Sequence, residues 1–94
     1  MNKYIIKTTT VFRKNLKLVK KRGYDLTLLQ SVVDILASGE TLPSKYTDHA
    51  LKGKFNRYRE CHITSDWLLV YEIREQELIL VLARTGTHSD IFSL

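Results

Sequence analysis

Three histidines, His49, His62 and His88, fall in the second half of the sequence, in the company of Asp66, Arg59 and Arg84. These residue types suit the cutting of a phosphodiester bond without a metal. Cleavage of RNA through its own 2′-hydroxyl needs a base for that proton and an acid for the leaving 5′-oxygen. It also needs positive charge near the phosphate. An imidazole, with an ordinary pKa of about 6.5, can be base or acid near neutral pH. Arginines supply fixed charge, and Trp67, Tyr58 and Phe92 could stack on unpaired bases. On composition and spacing alone other readings stay open: Trp67 and Phe92 as core residues, Asp66 as a turn residue, and a non-catalytic interaction surface in place of an active site.

Other chemistries are not legible. The histidine separations match no standard zinc spacing, and Cys61 next to His62 on a strand points to the opposite face, so neither metal nor cofactor is expected. No Ser-His-Asp or Cys-His nucleophile pattern is present, since Cys61 sits where a small hydrophobe would serve. Gly86 in RTGTH stands alone and forms no phosphate-cradling loop.

The elements that must position these groups can be read from periodicity. Tyr4–Lys7 is a short β-like run. Thr8, Thr9 and Thr10 offer an N-cap, after which Phe12, Leu16 and Val19 recur at i, i+4 and i+7. Gly23 is a natural stop. Asp25 can cap a second helix, in which Leu28, Leu29, Val32, Val33, Ile35 and Leu36 form an apolar face closing at Gly39. Residues 41–54 read as loop. Strands follow near 57–63, 67–73 and 77–83, with turns at Thr64–Asp66 and Arg74–Gln76. The order β-α-α-β-β-β predicts an α+β fold, a helical hairpin against an antiparallel sheet. The run WLLVYEI is apolar on both faces and should be the central strand. Alternation places Tyr58, Glu60 and His62 on one face and Arg59, Cys61 and Ile63 on the other. The hairpin can cover only one face, leaving the other to loops, the C-terminal tail or a partner.

The chain has 94 residues, 44% hydrophobic and 27% charged, which fits one folded domain over residues 1–94. No apolar run approaches a membrane span, and the start MNKYIIKTTT lacks a continuous apolar signal segment. One cysteine suits a reducing cytoplasm. The net charge is +5, with Lys3, Lys7, Arg13, Lys14, Lys17, Lys20, Lys21 and Arg22 preceding the first acid, Asp25. A one-sign field of this kind attracts polyanions, although a solvated helix face gives the same pattern.

Three stretches taken together resemble the YafQ-type branch of the RelE/ParE toxin superfamily, the toxin halves of bacterial toxin–antitoxin pairs. They are DHALKG at 48–53, YRECHITSDWLLVY at 58–71 and LARTGTHSDIF at 82–92. The resemblance is close over residues 48–92; residues 1–47 match only in arrangement. It implies a RelE-like, microbial-ribonuclease-like fold that cuts mRNA, typically in the ribosomal decoding site, without metal and through 2′-hydroxyl attack. It places His49, His62, Asp66, Trp67, His88 and Phe92 on positions associated with activity. His88 is then expected as general acid and His49 as base, with Asp66 the second choice for base or a residue tuning a histidine. His62 would hold the transition-state phosphate, with Arg59 and Arg84 contacting phosphate and Trp67 and Phe92 positioning bases. Lys14, Lys17, Lys20, Lys21 and Arg22 could rest on ribosomal RNA or on an acidic segment of a cognate antitoxin. Two alternatives remain: a toxin-like antitoxin binder with little catalysis, and a gyrase inhibitor, a class that lacks this histidine set.

Overall fold

The computed structural model of the chain describes residues 2–92. Strand β1 spans Ile5–Thr8, and the threonine run after it starts helix α1, Thr10–Lys21. Of the three candidate caps, Thr9 acts. Its hydroxyl accepts from the Phe12 amide at 2.9 Å and donates to the Ala83 carbonyl at 2.7 Å, so one side chain both starts the helix and ties it to the sheet. Phe12 and Val19 are buried, as their spacing predicts. The helix stops at Gly23, whose φ of 84° is left-handed. There the Gly23 and Tyr24 amides donate to Lys20 and Val19 carbonyls in a glycine C-cap.

Asp25 caps α2, Leu26–Ala37, accepting from the Thr27 amide at 3.0 Å. Leu29, Val32, Val33, Leu36 and Ala37 are buried on its inner face. Leu28, expected with them, instead points outward at 43% exposure. A position one step off the buried stripe rotates about 100° from it on a helix with 3.6 residues per turn.

Five strands form one sheet in the order β1-β5-β4-β3-β2. Strand β2 is His49–Ala50, β3 Arg59–Thr64, β4 Trp67–Arg74 and β5 Ile79–Gly86. β4 is central, as its two-sided apolar sequence predicts. The expected antiparallel sheet is corrected at one edge, because β1 pairs with β5 in parallel. β5 also starts later than expected, at Ile79. The reversal before it runs through Leu78, whose φ is 55°, and whose carbonyl accepts from the Ile5 amide.

The sheet separates two apolar groups. Cys61, Ile63, Trp67, Leu69, Tyr71, Leu80 and Leu82 join the helices in the main core. Leu68, Val70 and Ala83 lie in a smaller cluster with Ile91, flanked by Leu51, Tyr58 and Phe92. That second face is covered by the 51–58 loop and by α3, His88–Phe92, the loop and tail that a one-sided hairpin demands. A bulge in the β4–β5 pairing sets Val70 opposite Arg84 and Tyr71 opposite Leu82, leaving Ala83 as the extra residue. The bulge lets Ala83 and Arg84 line the same cavity.

Candidate active site

The two-residue strand β2 brings a loop histidine onto the sheet. His49 pairs with Glu60 of β3, and His62 lies two residues along β3 on the same face. Glu60 is only 6% exposed, yet it is a carboxylate, and both imidazoles approach it. Its Oε1 is 3.5 Å from His49 Nε2 and 3.8 Å from His62 Nε2. The two rings stand 6.4 Å apart, centroid to centroid. On the other side of His49, Nδ1 lies 2.9 Å from the Thr47 carbonyl. A carbonyl only accepts, so Nδ1 carries the hydrogen in that contact and the lone pair of a neutral His49 sits on Nε2. A proton collected there arrives beside the Glu60 carboxylate. Sequence reading assigned Glu60 no role; its signal was a glutamate on the same strand face as His62 and Tyr58.

His88 begins α3 and is exposed. Its ring rests on Phe92 with centroids 4.9 Å apart, and Phe92 meets Phe55 edge-on at 5.9 Å. Phe92 and Phe55 help line a cavity of about 650 Å³ with Tyr58, Lys54, Arg57 and Arg84, and no acidic side chain among the described residues lines it. Arg84 donates to the Ile91 carbonyl at 3.1 Å. Its guanidinium therefore stays at the edge of α3 while remaining exposed.

Other expected site residues stand elsewhere. Trp67 is 2% exposed and packs edge-on against Tyr24 of the helical layer. Its indole N–H donates to Thr85 Oγ1 at 2.8 Å, so it is a core residue on the helix-covered side and offers no face to a base. Asp66 lies exposed in the β3–β4 turn, with no hydrogen bond or ion pair to a histidine among the described residues. Arg59 faces away from His62 and grips Asp48, Nη2 to Oδ2 at 3.0 Å; that carboxylate also accepts from the Tyr71 hydroxyl at 2.5 Å. Arg22 is bound by Asp90 through two contacts, 2.6 and 3.0 Å. Lys14, Lys17, Lys20 and Lys21 are exposed along α1.

A five-stranded sheet with a helical layer on one face is the fold of a RelE-like toxin; here a histidine pair lies on the other face and a third histidine on the C-terminal helix. The match to known proteins narrows this further. Residues 4–93 match the family described as "Bacterial toxin of type II toxin-antitoxin system, YafQ", and the chain belongs to that family. It is 35% identical over 82 residues to the mRNA interferase toxin YafQ of Escherichia coli K12, covering 86% of this chain and 87% of that protein. Its fold superposes on a metal-bound toxin from Helicobacter pylori with a TM-score of 0.89, at 48% identity over 95% of this chain and 99% of the other. It also superposes on the toxin of the E. coli DinJ–YafQ toxin–antitoxin complex with a TM-score of 0.88. That match is 33% identical over 97% of this chain and 99% of the other.

Proposed function

We propose that this toxin is an endoribonuclease that cuts mRNA, on the ribosome, by general acid–base catalysis, and that a cognate antitoxin holds it in check. The observation that carries the reading is the buried Glu60 carboxylate set between His49 and His62 on the sheet face away from the helices. His49 Nε2 takes the proton of the 2′-hydroxyl, and Glu60 balances the imidazolium that results. The freed oxygen attacks the adjacent phosphorus. Its bond to the 5′-oxygen breaks, and His88 delivers a proton to that leaving oxygen, so the products are a 2′,3′-cyclic phosphate and a 5′-hydroxyl. His62 and Arg84 face the charge that grows on the phosphoryl oxygens. Unpaired bases lie against Phe92 and the aromatic side chains of the neighbouring cavity. In this scheme every proton has a protein donor or acceptor, and no step calls on a metal.

The name of the E. coli relative, an mRNA interferase, and the antitoxin complex of another support the same reading. The test incubates purified protein with mRNA, with and without translating ribosomes and with and without chelator, and maps the new ends. Ribosome-dependent cuts bearing cyclic phosphate, insensitive to chelator and reduced on the order of 10²- to 10⁴-fold by His88→Ala, are expected. Cleavage that survives His88→Ala unchanged removes the acid, and loss with chelator removes the metal-free mechanism. Blocked gyrase supercoiling with no RNA cut would replace the nuclease reading altogether.

A further inference from the structure

We infer that two arginine–aspartate pairs, Arg59–Asp48 and Arg22–Asp90, are positioning devices, each fixing the segment that carries one of the two proton-transfer histidines. Both arginines lie in sequence contexts that suggest contact with RNA, and the structure uses both internally. Asp48 directly precedes His49. It receives Arg59 at 3.0 Å and the Tyr71 hydroxyl at 2.5 Å, so the loop entering β2 is pinned to β3 and β4 immediately before the histidine. Thr47, one residue earlier, is held at φ 50°, the left-handed region that a non-glycine residue rarely adopts. From that conformation its carbonyl reaches His49 Nδ1.

Asp90 follows His88 by two residues. It accepts from both terminal nitrogens of Arg22, at 2.6 and 3.0 Å, and from the Thr87 amide at 2.9 Å, while its own amide donates to the Thr87 hydroxyl at 3.2 Å. The Thr87–Asp90 exchange is a reciprocal cap, and the arginine ties that cap to the end of α1. The arrangement needs Gly86: a Cβ there would stand 2.9 Å from Asp90 side-chain atoms, on a backbone with φ 146°. A five-residue helix has little stability of its own; this one is fixed from outside. In both cases a carboxylate within two residues of the histidine is held by a guanidinium from another element, the paired strand β3 for Asp48 and the end of α1 for Asp90. Planar guanidinium contacts constrain orientation as well as distance.

The kinetic consequence rests on the nuclease reading, but the placement does not. Because the chain has three histidines, ring signals in a ¹⁵N-histidine NMR spectrum report each site separately. Arg22→Met is expected to shift or broaden His88 alone. Arg59→Met is expected to move His49, with His62 following through Glu60, and to leave His88 in place. Arg22→Lys and Arg59→Lys, which keep the charge but lose the fork, are expected to show smaller changes of the same pattern and guard against variants that fold poorly. In RNA cleavage, each Met variant is expected to lower kcat on the order of tenfold with KM within about twofold, because misplacement of a proton-transfer group by about 1 Å is costly. Unchanged histidine signals overturn the inference, as does a common shift of all three in both variants, which marks general loosening. Selective shifts in a protein that cuts no RNA would uphold the positioning and overturn the nuclease reading instead.

Discussion

Glu60 is a carboxylate taken almost out of water, and the basic groups that approach it are the imidazoles of His49 and His62. Burial of this kind is unfavourable unless the charge is matched. Glu60→Gln keeps the volume and removes the charge. Cleavage is expected to fall on the order of tenfold, with little loss in the urea midpoint of unfolding; full activity would show that no imidazolium depends on it. Trp67 belongs to the opposite case. Trp67→Ala is expected to cost about 3–5 kcal/mol in urea unfolding, while Trp67→Phe, which loses the bond to Thr85 but keeps most of the packing, costs less. A small effect for the alanine variant would return Trp67 to the surface. Alternation correctly separated His62 from Cys61, because β3 mixes polar and apolar residues. It is silent on Trp67, because β4 is apolar on both faces and parity there carries no sign of which face meets the helices; the expected contact with a base came from the resemblance.

At the scale of elements, β2 and α3 escaped the sequence and the long elements did not. Phe12 and Val19 on α1, and Leu29, Val32, Val33 and Leu36 on α2, repeat often enough to show a period. The two residues of β2 and the five of α3 repeat too little, and both carry a histidine of the site. What holds them is remote: Arg22 comes from the other half of the chain, and no local pattern links it to Asp90. That link has a pH signature. Hydrogen bonds from Arg22, and next from the Thr87 amide, hold the Asp90 carboxyl well below its ordinary 3.8. A lowered folded-state pKa gives stability that is fully present above the unfolded value and is lost as pH falls through the folded one. Thermal unfolding midpoints of the wild type are therefore expected to drop steeply below about pH 4. Asp90→Asn is expected to start lower and lose less over the same interval. Parallel curves for the two proteins would show that the pair contributes nothing to acid stability.

Over the whole molecule, the basic helix and the histidine pair occupy separate regions. The lysines of α1 cover the outside of the helical layer, whereas the histidine pair lies on the far face of the sheet. Basic composition pointed to a polyanion partner, and along α1 the fold leaves Lys14, Lys17, Lys20 and Lys21 exposed for one, with Arg22 bound by Asp90. Reversing the four lysines to glutamate is expected to weaken ribosome association and flatten its dependence on salt, while leaving the circular-dichroism spectrum and unfolding midpoint close to wild type. Unaltered affinity would separate this surface from the ribosome. The sheet order was only partly legible. Consecutive strands β3, β4 and β5 follow from their short turns, but nothing near Ile5 announces a partner more than seventy residues away.

The parallel seam between β1 and β5 also fixes when the toxin can exist. Ribosomes make a chain from its N-terminus, so Ile5–Thr8 emerges early and must wait for Ile79–Gly86, its partner across the seam. Contacts of such long separation form late in folding. The site has the same dependence, since His88 and Phe92 follow β5 directly. A nascent chain that has not yet passed residue 88 thus has neither the finished sheet nor the third histidine.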